Sequence, residues 1–523
     1  MTFLNLQDEY DIVIAGGGIT GAGVYYEAVK RGYKVLLLEA NDFAWGTSGR
    51  SSKMVHGGLR YLKQGHFLLT MQAVRQRELL LKKYPGLVTP LKYIMPVFNN
   101  YGPSMFAVRI GLLIYSFMAG EKQHKIYTKI QAVHSIKKIG GIKEKNFVQA
   151  VGFQDAQVDD ARLVLRLIYQ GNMLGGNAFN YTKVVGVKKD KKGFVAAVNI
   201  KDVKSGASSE IKTKVFINAT GVFAEKLYAS PDKKMHIRPL RGSHLIFSKG
   251  KIVLDQVLSF IHPKDLRPVF FFPWENCIVL GTTDIDHNPD IQNEPFATKD
   301  EADYLMEGLK YILPDIDLSL KDCISSIAGI RPILSKKNKA ASKESREHVV
   351  WKDKGFITIT GGKLTTFQIL AKDALKAAKS YLPKISATKV KTRHDHHDII
   401  WNKNVSHDLQ ERLIGRYGIN GCQKISQYDE NLFVPVENTK TVWAEILYAA
   451  EYENVCHLSD LLLRRVRLGL LLPKGGINIL DKVEALCKSV LFCNNNKYDN
   501  KKWEKEKQDY IKLWETYYSP PKQ

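Results

Sequence analysis

Several classes of protein are excluded by what this sequence lacks. Its six cysteines, Cys277, Cys323, Cys422, Cys456, Cys487 and Cys493, form no Cys-x-x-Cys pair, and the nearest two have five residues between them. Thiols scattered in this way fit a reducing compartment and exclude a disulfide framework or a zinc finger. No apolar run reaches the 18 or so residues that a spanning helix needs. The longest candidate, Ile110–Gly120, reads IGLLIYSFMAG. The first residues, MTFLNLQDEYD, have no basic start and no apolar core, so no signal peptide is expected. A soluble protein, or one seated on a single membrane face, is therefore expected. There are no internal repeats, and no RNP-like aromatic pattern or helix-turn-helix signature. Acid is scarce: 53 Asp and Glu face 77 Lys and Arg, leaving a net charge of +24. Such a charge favours an anionic partner, and with no nucleic-acid motif present the candidates are a membrane surface or a phosphorylated substrate. The 523 residues, 44% apolar and 10% aromatic, exclude a disordered or fibrous chain and suffice for a sizeable core.

What is present begins at Asp11. DIVIA (11–15) reads as a short strand, followed by Gly16, Gly18 and Gly21 in G-x-G-x-x-G spacing, a helix-like stretch to Gly32, and VLLLE (35–39) as a second strand ending in an acid. In such a βαβ unit the first glycine allows the tight turn. The second lets the backbone approach a pyrophosphate, and the third lets helix and strand pack closely. The helix then offers free N–H groups and its positive dipole end to the phosphates. Glu39 is placed to accept hydrogen bonds from ribose hydroxyls, which argues against a 2′-phosphate and so against NADP. The unit alone leaves NAD and FAD open.

The following loop, GTSGRSSKMVHGGLRY (46–61), gathers hydroxyls, cations, His56 and a glycine pair against a phosphate or a flat ring. KVFINATG (214–221) and GFITITGGKLTT (355–366) each read as a strand ending in a glycine turn, as if the chain returned twice to the first sheet. From about residue 385 helical periodicity takes over. His394, His396 and His397 with Asp395 and Asp398 read as a solvated linker, because adjacent residues rarely converge on one ion. No metal is expected.

Together these motifs resemble the FAD-dependent, quinone-linked (aerobic) glycerol-3-phosphate dehydrogenases. The resemblance spans nearly the whole chain: GGGITGAG, SSKMVHGGLRYL (51–62), VDDARLVL (158–165), INATG (217–221), RGSHLI (241–246), PW (273–274), GTTD (281–284), GIRP (329–332), GGKLTT (361–366) and LLLRRVRLGL (461–470). The combination of HGGLRY, GIRP and GGKLTT is much more specific than the glycine fingerprint. Departures lie in Gly46, Gly49 and Arg50, where the family more often has small or hydroxyl residues, and in the Lys- and Ser-rich segment Ser335–Glu347.

The fold implied is α/β: a discontinuous Rossmann-like FAD-binding domain (1–95, 150–225 and 325–385) interleaved with an α+β substrate or cap domain (96–149 and 226–324), then a C-terminal all-helical domain (386–523). The cofactor implied is FAD, held by Gly16, Gly17, Gly18, Thr20 and Gly21, by Glu39 and Ala40, and by the loop residues Thr47, Ser48, Ser51, Ser52 and Lys53. Val184, Ala219, Thr220 and Gly221 join them, with Gly361, Gly362, Leu364 and Thr365 from the last return. The activity implied is oxidation of glycerol 3-phosphate at C2 to dihydroxyacetone phosphate, with electrons passed to a membrane quinone.

For the chemistry, a planar guanidinium suits a phosphate dianion. Arg331, between Gly329 and Pro332, is the first candidate, with Arg60 and Arg346 behind it. The base that takes the hydroxyl proton needs a near-neutral side chain. His244 is preferred, with His56 supporting the flavin loop. Lys363 is suited to stabilising negative charge on the reduced flavin or a substrate oxygen, Tyr61 to hydrogen-bonding substrate, and Asp284 to orienting a catalytic group. Two segments suit an anionic membrane surface on the cytoplasmic face. One is Ile110–Ala119 with Lys122, Lys125, Lys129, Lys137, Lys138, Lys143 and Lys145. The other is the tail with Trp503, Tyr510, Trp514 and Tyr517. A homodimer is open on this reading. Alternatives are a glycerol-3-phosphate oxidase that uses oxygen, a flavin amine or hydroxy-acid oxidase, and a nucleic-acid- or membrane-binding protein with a structural dinucleotide fold.

Overall fold

The apolar runs that read as strands are continuous because they are buried on both faces. Ile12 and Ile14 of the strand Glu9–Ala15, Val35 and Leu37 of Val35–Leu38, and Ile357 and Ile359 of Phe356–Gly361 turn to one side. Val13, Leu36, Leu38 and Phe356 turn to the other. The structure, a computed structural model, describes residues 6–58, 65, 67–99, 101–119, 124–127, 141–143, 145–227, 236–334, 347–384, 399–401, 405–494 and 497–522. In it Phe356–Gly361, Ser208–Asn218, Glu9–Ala15, Val35–Leu38 and Asn177–Phe179 run parallel, in that order, within an eight-stranded sheet. Helices Ile19–Lys30, Asp160–Met173 and Phe367–Ala378 cover one face, and the hairpin of Thr182–Lys189 and Val195–Asp202 packs on the other. Both expected returns therefore lie in the first sheet.

A second, ten-stranded mixed sheet carries Ile237–Ser248 between Cys323–Leu334 on one side and Cys277–Gly281 on the other. Alternation again sorts its faces. Leu245 and Phe247 pack on the helix Lys299–Ile312, whereas Ile246, Phe272 and Trp274 pack on the C-terminal helices. The expected domain boundaries move here. Val88–Phe98 pairs antiparallel with Phe147–Val158, and Cys323–Leu334 with Ile237–Ser248, so all four strands belong to the second sheet. Residues 88–95, 150–158 and 325–334 had been expected in the FAD-binding part. Partners this distant along the chain leave no local mark on composition.

The C-terminal region holds the helices His407–Ile425, Trp443–Tyr452, Leu480–Cys487 and Asn500–Tyr517. Trp503, Tyr510 and Trp514 are buried in the core they share with the second sheet, so their helical spacing marks a packing face and not a membrane face. The helix Met105–Ala119 differs. Val108, Leu112 and Tyr115 are buried, while Phe106, Leu113 and Phe117 are 74%, 56% and 89% exposed. Lys122, Lys129, Lys137 and Lys138, and the run His394–Asp398, lie outside the described residues.

The C-terminal region joins the first sheet through buried charge. Leu461–Arg465 forms a π-helical turn that buries both Arg464 and Arg465. Arg465 grips the Asp42 carboxylate with two N–H groups at 2.6 and 2.8 Å, and Arg464 Nε adds a third at 2.5 Å. Arg467 and Arg416 reach Asp159 at 3.2 and 3.1 Å. Burial alone would raise the Asp42 carboxyl, but Arg465 and Arg464 outweigh it and hold it well below the usual carboxylate range.

Removing one partner of a buried pair strands the other. Asp42→Asn should therefore destabilise the fold by about 3–5 kcal/mol, read as an earlier chemical-denaturation midpoint. The lowered carboxyl means that this contribution is complete above about pH 4, the ordinary value of an unfolded Asp, and is lost as pH falls further toward the folded value. An unchanged midpoint at neutral pH would show the contact to be dispensable.

Candidate active site

The two sheets enclose a cavity of about 770 Å³. Its first wall is the glycine turn. Gly16 has φ +109°, and a Cβ there would lie 2.5 Å from the Ala219 carbonyl oxygen. A Cβ on Gly21 would lie 1.9 Å from the Gly16 oxygen. Both glycines answer to backbone approach, so Gly21, like Gly17, shapes the turn without lining the cavity. Gly18 brings no capping side chain to the helix Ile19–Lys30, whose positive end meets the cavity at Gly18, Ile19 and Thr20. Ser48 Oγ accepts the Ile19 N–H at 2.8 Å.

Glu39 and Ala40 line the same end. The Glu39 oxygens accept the Gly17 and Asn41 N–H groups at 2.7 and 2.8 Å, and burial raises the pKa of its carboxyl. Each carboxylate oxygen has a second lone pair for a ligand hydroxyl. Thr47, Ser51, Ser52, Val184, Ala219, Thr220, Gly221, Gly361, Gly362, Leu364 and Thr365 line the remainder with Lys363. Volume, an anion-seeking helix end and a half-buried acid just past the second strand fit a dinucleotide such as FAD, since cofactor clefts run to roughly 300–1,000 Å³.

Lys53 departs from expectation. Its ammonium is buried, 3.0 Å from Asp160 Oδ1 and near the Gly49 and Ser51 carbonyls. Burial lowers its pKa to about 8. It holds the loop from behind, since Asp160 also accepts the Ser51 N–H and hydroxyl at 2.8 and 2.7 Å.

Arg331 lines the cavity from the second sheet. Its guanidinium donates to Asp284 Oδ1 at 3.0 Å, Thr282 Oγ1 at 3.1 Å and the Thr283 carbonyl at 3.3 Å. Gly242 makes this possible, because a Cβ there would lie 2.3 Å from Arg331 Nη2. His244 sits behind the wall. Gly281 pairs opposite it and leaves room for the ring, which a Cβ would meet at 2.2 Å. His244 Nε2 contacts Ser52 Oγ at 2.9 Å, and Ser52 lines the cavity. Burial, then the cations of Lys53 and Arg331, lower the His244 pKa to about 3, so its imidazole is neutral. His56 lines the cavity directly. His244 therefore reaches the cavity only through Ser52, and His56 reaches it from its own loop. Arg60, Tyr61 and Arg346 lie outside the described residues.

Sequence reasoning passed over Gly242, Thr182, Gln292 and Lys226, which also line the cavity. Of these only Gly242 lies in one of the motifs, RGSH.

A family profile described as FAD dependent oxidoreductase matches residues 11–368, and one described as the C-terminal domain of alpha-glycerophosphate oxidase matches residues 358–497. The chain is 31% identical over 494 residues to the aerobic glycerol-3-phosphate dehydrogenase of Staphylococcus haemolyticus (strain JCSC1435), covering 88% of this chain and 87% of that protein. It is 31% identical over 491 residues to that of Staphylococcus aureus (strain MRSA252), with the same coverage of 88% and 87%. The solved glycerol-3-phosphate dehydrogenase from Bacillus halodurans complexed with FAD superposes with a TM-score of 0.71 at 23% identity, covering 98% of this chain and 94% of that one. The FAD-bound L-alpha-glycerophosphate oxidase from Mycoplasma pneumoniae superposes with a TM-score of 0.59 at 20% identity, covering 73% and 98%. At those identities the two structures bear on fold alone.

Proposed function

This chain belongs to the FAD dependent oxidoreductases, and within them to the glycerol-3-phosphate dehydrogenases, and on that premise we propose that it oxidises glycerol 3-phosphate to dihydroxyacetone phosphate. The observation that carries the reading is Arg331, a cation oriented by Asp284, Thr282 and Thr283 at the wall of a cavity shaped for a dinucleotide. Arg331 holds the substrate phosphate. FAD held by the glycine turn, Glu39 and the loop 47–52 would supply the acceptor for the hydride on C2. The hydroxyl proton leaves through Ser52, whose own proton passes to His244 Nε2. Burial, and after it the cations of Lys53 and Arg331, make His244 a poor base, and a phosphate dianion on Arg331 offsets one of those cations. Substrate binding thereby raises the affinity of His244 for the proton it is to take. Lys363, beside the glycine turn at 361–362, supplies positive charge to the reduced cofactor. A reducible dinucleotide site with no such anchor would suit an amine or hydroxy-acid oxidase instead.

Electrons pass on to a membrane quinone. Among the described residues no helix is long and apolar enough to cross a membrane. The reading rests on attachment to the cytoplasmic face through Phe106, Leu113 and Phe117, with Leu68 at 72% exposure on the neighbouring helix Phe67–Lys83. Oxygen as acceptor is the second reading, favoured by the description of the C-terminal profile.

Three outcomes test these points. Arg331→Ala should raise the half-saturating glycerol 3-phosphate concentration roughly tenfold or more and leave the slow turnover of glycerol nearly unchanged. An equal loss on both substrates would assign Arg331 a folding role. His244→Ala should slow flavin reduction by roughly 10²–10⁴ at unchanged FAD content, and the same loss in His56→Ala alone would move the base to His56. In flotation with anionic vesicles, the protein should rise with the lipid at low salt and detach as salt screens the attraction, with Phe117→Glu bound more weakly. Protein that stays below the lipid at low salt would remove the membrane reading and favour oxygen.

A further inference from the structure

The loop that carries His56 is gripped, beyond its contacts with Asp160, by a buried group of three residues that the reaction does not otherwise use. The N–H of Gly57, the next residue, donates to Tyr115 Oη at 2.8 Å. Tyr115 in turn donates to Asp155 Oδ1 at 2.6 Å, the oxygen that also takes Arg77 Nη1 at 2.6 Å. Gly57 N lies 3.4 Å from the same carboxylate oxygen. Tyr115, Asp155 and Arg77 are all buried. Gly57 has no room for a side chain, because a Cβ there would lie 2.3 Å from Val74 Cγ2 and 2.5 Å from Tyr115 Oη. The three come from separate elements: Arg77 from helix Phe67–Lys83, Tyr115 from helix Met105–Ala119 and Asp155 from strand Phe147–Val158. Burial raises the pKa of both the Tyr115 phenol and the Asp155 carboxyl, and Arg77 opposes the latter shift.

A hydroxyl that accepts from one group must have its own proton received elsewhere. Asp155 receives it, and Arg77 balances the carboxylate, so the phenol is oriented with its lone pair toward Gly57. Outside a helix or sheet, a backbone N–H tied to so constrained an acceptor fixes the peptide that precedes it, here the one joining His56 to Gly57. We propose that Tyr115, oriented by Asp155 and Arg77, is a positioning residue that sets where the His56 ring stands in the cavity. Tyr115 does not line the cavity. This inference rests on the reading of the cavity as a glycerol 3-phosphate site, and it deepens that reading by assigning the helix Met105–Ala119 a part in the chemistry.

Tyr115→Phe removes one oxygen and keeps the ring, and the rate of flavin reduction by glycerol 3-phosphate in the FAD-loaded protein tests it. His56 lines the cavity, and a small displacement in the wall of a reacting site is costly in rate, so that rate should fall roughly tenfold, with the half-saturating substrate concentration and the FAD content unchanged. Hydrogen exchange over residues 54–58 should quicken in the same variant and stay the same in the C-terminal helices. Tyr101→Phe, which removes a hydroxyl bonded to the Ile261 carbonyl in the same sheet, should leave the rate at the wild-type value. Reduction of Tyr115→Phe at the wild-type rate would overturn the proposal, as would a loss shared equally by Tyr101→Phe or matched by lost FAD. Failure of the wild-type flavin to be reduced at all would instead overturn the substrate reading.

Discussion

The buried lattice of carboxylates and arginines between the first sheet and the C-terminal helices is the constraint on which the rest of this structure depends. Asp42, Asp159 and Asp160 come from the FAD-binding part, and Arg464, Arg465, Arg467 and Arg416 from the C-terminal part. Neither set could be buried without the other, since an isolated charge in an apolar interior costs several kcal/mol even after relaxation. The two parts are therefore obliged to fold against each other. Arg467 extends the effect to the cavity. It donates to the Gly49 carbonyl at 3.0 Å and pairs with Asp160, which holds Ser51 and Lys53. The loop that faces the cofactor is in this way fastened by a residue more than 400 positions later in the chain.

The same loop is also tied through Ser52 to His244 of the second sheet and through Gly57 to Tyr115 of the helix Met105–Ala119. Three bodies thus meet in fewer than a dozen residues. Close approach of backbone is what makes this fit. Gly242 and Gly281 are neither turn nor hinge residues; they are positions in strands where a side chain would occupy the space of Arg331 and His244. Side chains on a sheet with vacated neighbours are rigidly placed, as the proposed chemistry requires.

The parts of this architecture legible in the sequence were those written locally. The glycine spacing, the strand on either side of it and Glu39 lie within thirty residues, and backbone geometry dictates each of them. Arg331 was legible because Gly329 and Pro332 frame it in a recognisable motif. What could not be read depends on register between distant strands. Lys53 sits in a loop rich in hydroxyls and cations, and only the position of Asp160 decides that its ammonium points inward. His244 and His56 were both visible, but their order of approach to the cavity is set by the pairing of His244 with Gly281. The aromatic spacing of Trp503, Tyr510 and Trp514 announces one apolar helix face without saying what covers it, and here it is core. Tyr115 carried no signal at all, since it lies in a stretch whose composition spoke only of apolar surface.

The account stands most directly on one measurement. Purified protein should be yellow, and anaerobic addition of glycerol 3-phosphate should bleach the flavin absorption with dihydroxyacetone phosphate formed in equal amount. Flavin that binds but keeps its oxidised spectrum with glycerol 3-phosphate, while another alcohol or an amine bleaches it, would contradict the account.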